Sequence, residues 1–250
     1  MAEILTDLLP NNTIGIVMKL SGGADSSIIY YRLCKEIAEK NLNIPIYCAT
    51  LDTETKPWYS HYAKKVITFT KDHTGIEPIE HRIRFLPNPW TIEDYGREQD
   101  DNAYKIISEG KANVWYGGLT QNPPIEIQAN IAQHVPGIVL NTHTEVFEMC
   151  KQKDFARDDL SKNPIAGWSD TKVPFYAIHP FVRRDKRHST AKMYKENNVT
   201  DELLPLTYSC ENSNAQEKTK TNIVNGFQEH THCGQCWFCM ERAYAFGRLV

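Results

Sequence analysis

The sequence predicts an α/β fold: a doubly wound, mostly parallel five-stranded sheet followed by a cysteine-rich helical tail. Three observations predict it. Short apolar runs rich in β-branched residues alternate with stretches of helical spacing, the pattern of right-handed βαβ crossovers. A glycine- and serine-rich turn, "SGGADSS" at residues 21–27, follows the first such run. The last fifth of the chain gathers three cysteines within seven residues.

The elements follow in order. "TIGIVMKL" (residues 13–20) is a buried strand, bounded by polar signals. "DSSIIYYRLCKEIAEK" after the turn places Ile28, Ile29, Tyr31, Leu33, Ile37 and Ala38 at helical spacing, and Lys40-Asn41 closes it. "IPIYCATL" (44–51) is a second strand, and "WYSHYAKKVITFTKDHTG" is a helix that stops at Gly75. "IEHRIRFL" (79–86) alternates and is a third strand. "TIEDYGREQDDNAYKIISEG" is a polar helix with Gly110 as its C-terminal stop. "NVWYGGL" (113–119) is a fourth strand running into a glycine pair, "VPFYAIHPF" (173–181) a fifth, and "KRHSTAKMYKENN" a helix after it. Residues 121–171, rich in Asn, Pro and Gly, read as long connections around one or two helices. The expected division is an α/β domain over 1–200 and a cysteine-rich segment over 201–250. No internal repeat is visible.

Composition excludes several classes. Hydrophobic residues make up 41% of the 250, enough for a sizeable core. The formal net charge is -3 and the pI about 6.3. A chain held to nucleic acid mainly by its field is strongly basic, so a small-molecule substrate is expected instead. No apolar run is long enough to span a bilayer, and the first fifteen residues lack a signal-peptide pattern. A cytoplasmic, reducing setting is therefore expected, with the seven cysteines as thiols or metal ligands.

The turn Ser21-Gly22-Gly23-Ala24-Asp25-Ser26-Ser27 lies where a parallel sheet binds ligands, beyond the carboxyl end of a strand. Glycines admit a ligand close to the backbone, and the free N–H groups of a helix start favour an anion such as pyrophosphate. An ordinary strand-to-helix turn, with Asp25 or Ser26 as N-cap, is the plainer reading. In the tail, Cys233, Cys236 and Cys239 form C-x-x-C-x-x-C, with Cys210 upstream. Four thiolates closing one tetrahedral shell make a structural zinc site. An iron–sulfur cluster takes similar spacing, and His230 or His232 could replace Cys210 as the fourth ligand. Cys34, Cys48 and Cys150 read as small core residues, as do Trp58, Trp90, Trp115 and Trp168, although each of these rings could also stack on a base.

The string S-G-G-x-D-S-S after a first strand resembles the PP-loop signature of the N-type ATP pyrophosphatases. With the tail, where Ser209-Cys210, Cys233-Gly234-Gln235-Cys236, Cys239, Arg242, Ala245 and Phe246 stand in order, the chain looks like the 7-cyano-7-deazaguanine synthase family. The resemblance implies ATP, Mg2+ and Zn2+ as cofactors. Ser21, Gly22, Gly23, Ala24, Asp25, Ser26 and Ser27 would form the pyrophosphate loop, with Gly117 or Gly118 near ATP. Asp25 would serve Mg2+ or the loop's shape. The segment "HPFVRRDKRHSTAKMYKENNV" maps Pro180, Phe181 and Lys186, a lysine that would approach the phosphates. Catalytic candidates are thus Asp25 and Lys186, and metal ligands Cys210, Cys233, Cys236 and Cys239. The implied reaction joins ammonia to a deazapurine carboxylate, 7-carboxy-7-deazaguanine, and ends at the nitrile. The implied state is a homodimer.

Two departures stand out. Residues 211–232 lengthen the gap between Cys210 and the cysteine triplet, and "GGLTQNPPIEIQANIAQHVPG" (117–137) replaces the family's Tyr-Pro-Asp-Cys-Arg segment. The alternatives are a diverged PP-loop enzyme acting on a tRNA base or another carboxylate, a sulfonucleotide reductase, and a zinc-stabilised nucleotide-binding module without turnover. "RRDKRH" (183–188) is the one cluster that could serve RNA.

Overall fold

The computed structural model of the chain describes residues 4–133, 157–159, 175–210, 222–224, 227–229, 232–234 and 236–248. Its sheet holds β1 (Ile16–Lys19), β2 (Ile46–Thr53), β3 (Glu80–Leu86), β4 (Val114–Tyr116), β5 (Arg157–Asp159) and β6 (Tyr176–Ile178). The strand order is β3-β2-β1-β4-β6-β5. Every neighbouring pair is parallel except β5–β6, which is antiparallel. The five expected parallel strands are present. The sixth, β5, corrects the reading of 121–171 as connections. An edge strand of sequence Arg-Asp-Asp has neither apolar alternation nor β-branched residues to announce it.

The helices are α1 (Ala24–Glu39), α2 (Tyr59–Thr74), α3 (Ile92–Ser108), α4 (Ile125–Ala132), α5 (Lys192–Glu196) and α6 (Trp237–Phe246). A π-helical turn, Arg187–Ala191, leads into α5, so the helix expected over 186–198 opens with wider hydrogen-bonding. None of these helices is long and apolar enough to cross a membrane. A separate two-stranded ribbon, β7 (Asn222–Val224) with β8 (Phe227–Glu229), lies inside the 211–232 insert.

Alternation along the buried strands sorts the core into two layers. Ile16 and Met18 of β1, with Ile46 and Cys48 of β2, pack against Ile28, Ile29, Leu33 and Ile37 of α1 and Ala63 and Val66 of α2. Val17, Tyr47, Ala49 and Trp115 face the other way, onto Ala103, Ile106 and Ile107 of α3. Each buried aliphatic side chain contributes about 1.5–3 kcal/mol, so the two layers together hold β1 and β4 side by side at the centre.

The helix ends follow local chemistry. Thr91 and Asp94 close a capping box on α3: the Asp94 N–H donates to Thr91 Oγ1 at 3.1 Å, and the Thr91 N–H to Asp94 Oδ2 at 2.9 Å. Gly75 ends α2 at φ 74°, and Gly110 follows α3 at φ 73°, a left-handed conformation that glycine adopts without strain.

Candidate active site

The strand order reverses between β1 and β4: β2 and β3 lie on one side of β1, and β4 and β6 on the other. At such a switch point the loops after the two strands part and leave a crevice at their carboxyl ends. The loop after β1 is Leu20 to Gly23, and the loop after β4 begins with Gly117 and Gly118.

Gly22 has φ +74°, and a Cβ there would lie 2.6 Å from the Tyr62 Cβ and 2.7 Å from the Ala63 nitrogen. Only glycine fits, because the loop passes flat against α2. The Tyr208 N–H donates to the Gly22 carbonyl at 2.9 Å and ties the tail to the loop. α1 begins at Ala24, with Gly23 in the N-cap position and no capping side chain. Asp25 and Ser26 are therefore not the N-cap of the plainer reading. Gly23 lacks a side chain to satisfy the first-turn N–H groups, which stay available to an anion.

The loop's hydroxyls divide by direction. The Gly23 N–H donates to Ser21 Oγ at 3.3 Å, and Ser21 Oγ lies 3.2 Å from Ser26 Oγ. Ser27 Oγ donates to the Gly23 carbonyl at 2.7 Å. Ser27 and Ala24 are fully buried in the body of α1. Ser21, Gly23 and Asp25 line both lobes of the crevice, and Ser26 one of them. Gly22, Ala24 and Ser27 shape the turn from behind.

The larger lobe, about 320 Å³, is walled by aromatic rings: Tyr59, Tyr95, Tyr208, Trp237 and Phe238. The smaller, about 170 Å³, carries Lys19 and His179. Lys19 pairs with Asp100 of α3 and sits 4.9 Å above the Trp115 ring. Of the two glycines after β4, Gly118 is required by backbone and Gly117 lies against a side chain that would have to move. A Cβ on Gly118 would lie 2.8 Å from the Ser26 nitrogen, and one on Gly117 2.6 Å from the His179 ring. Gly117 lines the smaller lobe and Gly118 both, so each of the two candidates faces the crevice.

Lys186 enters from the segment before the π turn and is buried. Its Nζ lies 3.0 Å from Asp25 Oδ2 and 2.8 Å from Glu241 Oε2. Burial alone would lower its pKa. The carboxylates of Asp25 and Glu241 outweigh that and hold its pKa above the ordinary lysine value. Thr190 Oγ1 donates to the other Asp25 oxygen. The structure thus brings together both catalytic candidates, Asp25 and Lys186, across 161 positions of sequence. It adds Glu241, Thr190, Gln99 and the aromatic wall, none of which the sequence singled out. A glutamate on an amphipathic helix normally faces water, and nothing local marks Glu241 as buried.

The tail ends in a four-cysteine group. The ligand atoms of Cys210, Cys233, Cys236 and Cys239 all lie within 4.8 Å of one another. The Cys233–Cys239 and Cys236–Cys210 sulfurs are each 3.8 Å apart, and the Cys236 N–H donates to the Cys233 sulfur at 3.3 Å. This set can hold a metal ion. His232 is turned elsewhere, its Nε2 accepting the Ser209 N–H at 3.2 Å. Burial pushes its pKa down to about 3. His230 lies outside the described residues, so of the proposed fourth ligands the structure groups Cys210. Arg242 is fully buried and donates to Thr207 Oγ1, Ser209 Oγ and the Leu204 carbonyl, fastening α6 to the strand of chain that bears Cys210.

The other thiols are core residues. Cys34 and Cys48 are fully buried, and burial pushes the Cys34 thiol up to about 12 and the Cys48 thiol well above its usual value. Neither forms a thiolate nucleophile at neutral pH. Trp58 and Trp115 are buried too. Cys150 and Trp168 lie outside the described residues.

No protein-family profile matches the chain, and no curated protein does. Among solved structures, the chain is similar to the U34-tRNA thiolase NcsA from Methanococcus maripaludis with its [4Fe-4S] cluster. The identity is 15% and the TM-score 0.45, over 96% of this chain and 73% of that one.

Proposed function

We propose that the chain is an ATP-dependent enzyme that activates a carboxylate by adenylation and passes it to ammonia, with 7-carboxy-7-deazaguanine as the acceptor. The observation that carries this reading is the crevice at the sheet's switch point. It joins an uncapped helix start, a glycine on each side, and a buried ammonium. These are the features that a triphosphate's anionic end requires.

In this reading the first-turn N–H groups of α1 and the Ser21 and Ser26 hydroxyls bind the pyrophosphate. Lys186 offsets charge on the leaving phosphates, and Asp25 would hold magnesium, which neutralises the phosphates when bound. The acceptor carboxylate oxygen attacks the α-phosphorus and pyrophosphate leaves. Ammonia then attacks the acyl carbon, and AMP departs to give the amide. The amide oxygen attacks a second ATP, pyrophosphate leaves again, and loss of AMP with that oxygen and two N–H protons yields the nitrile. The rings of Tyr59, Tyr95 and Trp237 offer a planar heterocycle apolar faces and keep water from the acyl-adenylate. No protein nucleophile is needed, which accords with the inert Cys34 and Cys48.

The four-cysteine group reads as a structural zinc site. Thiolates ~2.3 Å from one tetrahedral ion sit ~3.8 Å apart, matching the two sulfur separations of 3.8 Å. A four-iron cluster binds each thiolate to a separate iron and spreads them further. Elemental analysis should return one zinc per chain, with no visible absorption from iron–sulfur charge transfer.

The decisive experiment incubates the protein with ATP, magnesium, ammonium and 7-carboxy-7-deazaguanine and follows the base by mass spectrometry. Nitrile formation supports the whole reading, and amide alone supports its first half. No conversion by protein that binds ATP and holds zinc overturns the acceptor.

A further inference from the structure

Helix α6 carries two kinds of residue on ten positions. Cys236, its N-cap, and Cys239 belong to the four-cysteine group. Trp237, Phe238 and Glu241 face the crevice. Glu241 is buried and takes Lys186 at 2.8 Å. A second link runs beside it: Tyr244 Oη lies 3.3 Å from Asp185 Oδ2, and the Arg187 guanidinium stacks 5.5 Å from the Tyr244 ring. The turn bearing Lys186 is therefore gripped by α6 at three consecutive residues, Asp185, Lys186 and Arg187. Among the described residues α6 is also held where its cysteines and Arg242 meet the 204–210 segment and where the Phe246 ring packs on Tyr194.

We infer that Glu241 is a positioning residue: the four-cysteine centre sets the register of α6, and Glu241 transmits that register to the Lys186 ammonium at the pyrophosphate loop. This deepens the proposed function, on which it rests for the role of Lys186, and gives the tail a task beyond stability. Lys186 has a flexible four-carbon stem. Asp25 alone would draw it towards α1, whereas two carboxylates on opposite elements hold Nζ between them. Glu241 sits two residues after a cysteine of the centre, less than one helical turn. A shift at the start of α6 on loss of metal therefore reaches Glu241 within one turn, opposed by the hydrogen bonds of Arg242 to Thr207, Ser209 and Leu204.

The test follows Lys186 directly. The holo protein is labelled with an amine-selective acylating reagent, and modification at Lys186 is read by peptide mass spectrometry. Lys186 is expected to resist labelling in the metal-loaded wild type. It should become at least about ten-fold more reactive after the metal is stripped with a chelator, and also in Glu241→Gln that retains its metal. Glu241→Asp, which keeps the charge on a shorter arm, should restore part of the protection. In turnover with ATP, Glu241→Gln should lower kcat by about 10²-fold, the scale of a misplacement near 1 Å, with KM for ATP changed less than about three-fold.

Protection that survives metal removal would overturn the link to the cysteine centre. Protection that survives in Glu241→Gln would overturn the role of Glu241. The labelling needs no substrate. A protein that shows the labelling pattern but no ATP-dependent reaction would refute the proposed function and leave the positioning role standing.

Discussion

Replacing Lys186 by methionine should destabilise the fold far more than a surface lysine would. The lysine touches Asp25 at 3.0 Å and Glu241 at 2.8 Å, so those two oxygens lie no more than about 6 Å apart. With the ammonium gone, two negative charges at that distance repel by about 3 kcal/mol at an effective dielectric of about 20. That agrees with the roughly 3–5 kcal/mol seen when one partner of a buried pair is removed. For a chain of this size about 1 kcal/mol moves Tm by roughly 2–4 °C, so a fall of about 10 °C is expected. The assay is thermal unfolding by circular dichroism on protein of verified metal content. The double variant Lys186→Met/Glu241→Gln removes the repulsion and should recover at least about 1 kcal/mol relative to the sum of the single changes. A Lys186→Met protein within about 1 kcal/mol of wild type, or a double variant that is merely additive, would refute the view that the three charges form one buried unit.

Other perturbations test the packing, the acid response and the cysteine group. Gly118→Ala drives a Cβ to 2.8 Å from the Ser26 backbone nitrogen and should cost about 1–3 kcal/mol through overpacking. Gly96→Ala, inside α3 with nothing within 4 Å of the new methyl, should gain about 0.5–1 kcal/mol, and equal Tm shifts would show the packing argument to be wrong. His81 should give the fold an acid-side weakness. Thr50 Oγ1 donates to the Leu20 carbonyl, so His81 Nε2–H must donate to Thr50 at 2.8 Å; burial and nearby Lys64 lower its pKa from 6.5 to about 4. The neutral ring's contribution is complete above about pH 6.5 and is lost as pH falls towards 4, with roughly 2 kcal/mol gone by pH 5. Urea midpoints at pH 7.5 and 5 should show that loss in wild type and a smaller one in His81→Gln, and equal slopes would discredit it. Finally, Cys210→Ser should lower bound zinc below one per chain and reduce Tm, whereas Cys48→Ser should leave the zinc content intact; zinc retained in full by Cys210→Ser would exclude that cysteine as the fourth ligand.

The parallel sheet was legible because its signals are local. Runs such as Ile16–Lys19 and Val114–Tyr116 are buried on both faces and read as continuous apolar strands. Gly75 and Gly110 stop their helices by a conformation that one residue controls. The 21–27 loop was visible for the same reason, since its seven contiguous residues must turn and start a helix. The C-x-x-C-x-x-C spacing likewise keeps three sulfurs close together where the chain enters α6.

What tertiary structure alone decided are relations between distant residues that leave no local pattern. The sequence admitted three candidates for the fourth ligand, and the fold grouped Cys210 while engaging the His232 ring with the Ser209 amide. The requirement for glycine at 118 comes from the Ser26 backbone 92 positions earlier. β5 has too little apolar pattern to read as a strand, and only the free edge of β6 makes it one. Glu241 is the clearest case. On its helix it reads as an ordinary exposed acid, and it is buried because the Lys186 ammonium arrives from another element and lies between it and Asp25, offsetting the repulsion of the two carboxylates. Local chemistry determined the strands, the glycine-serine loop and the cysteine triplet. The long-range packing of α6 against the loop determined which charges share the crevice, because desolvation makes a buried charge acceptable only where a partner is already in place.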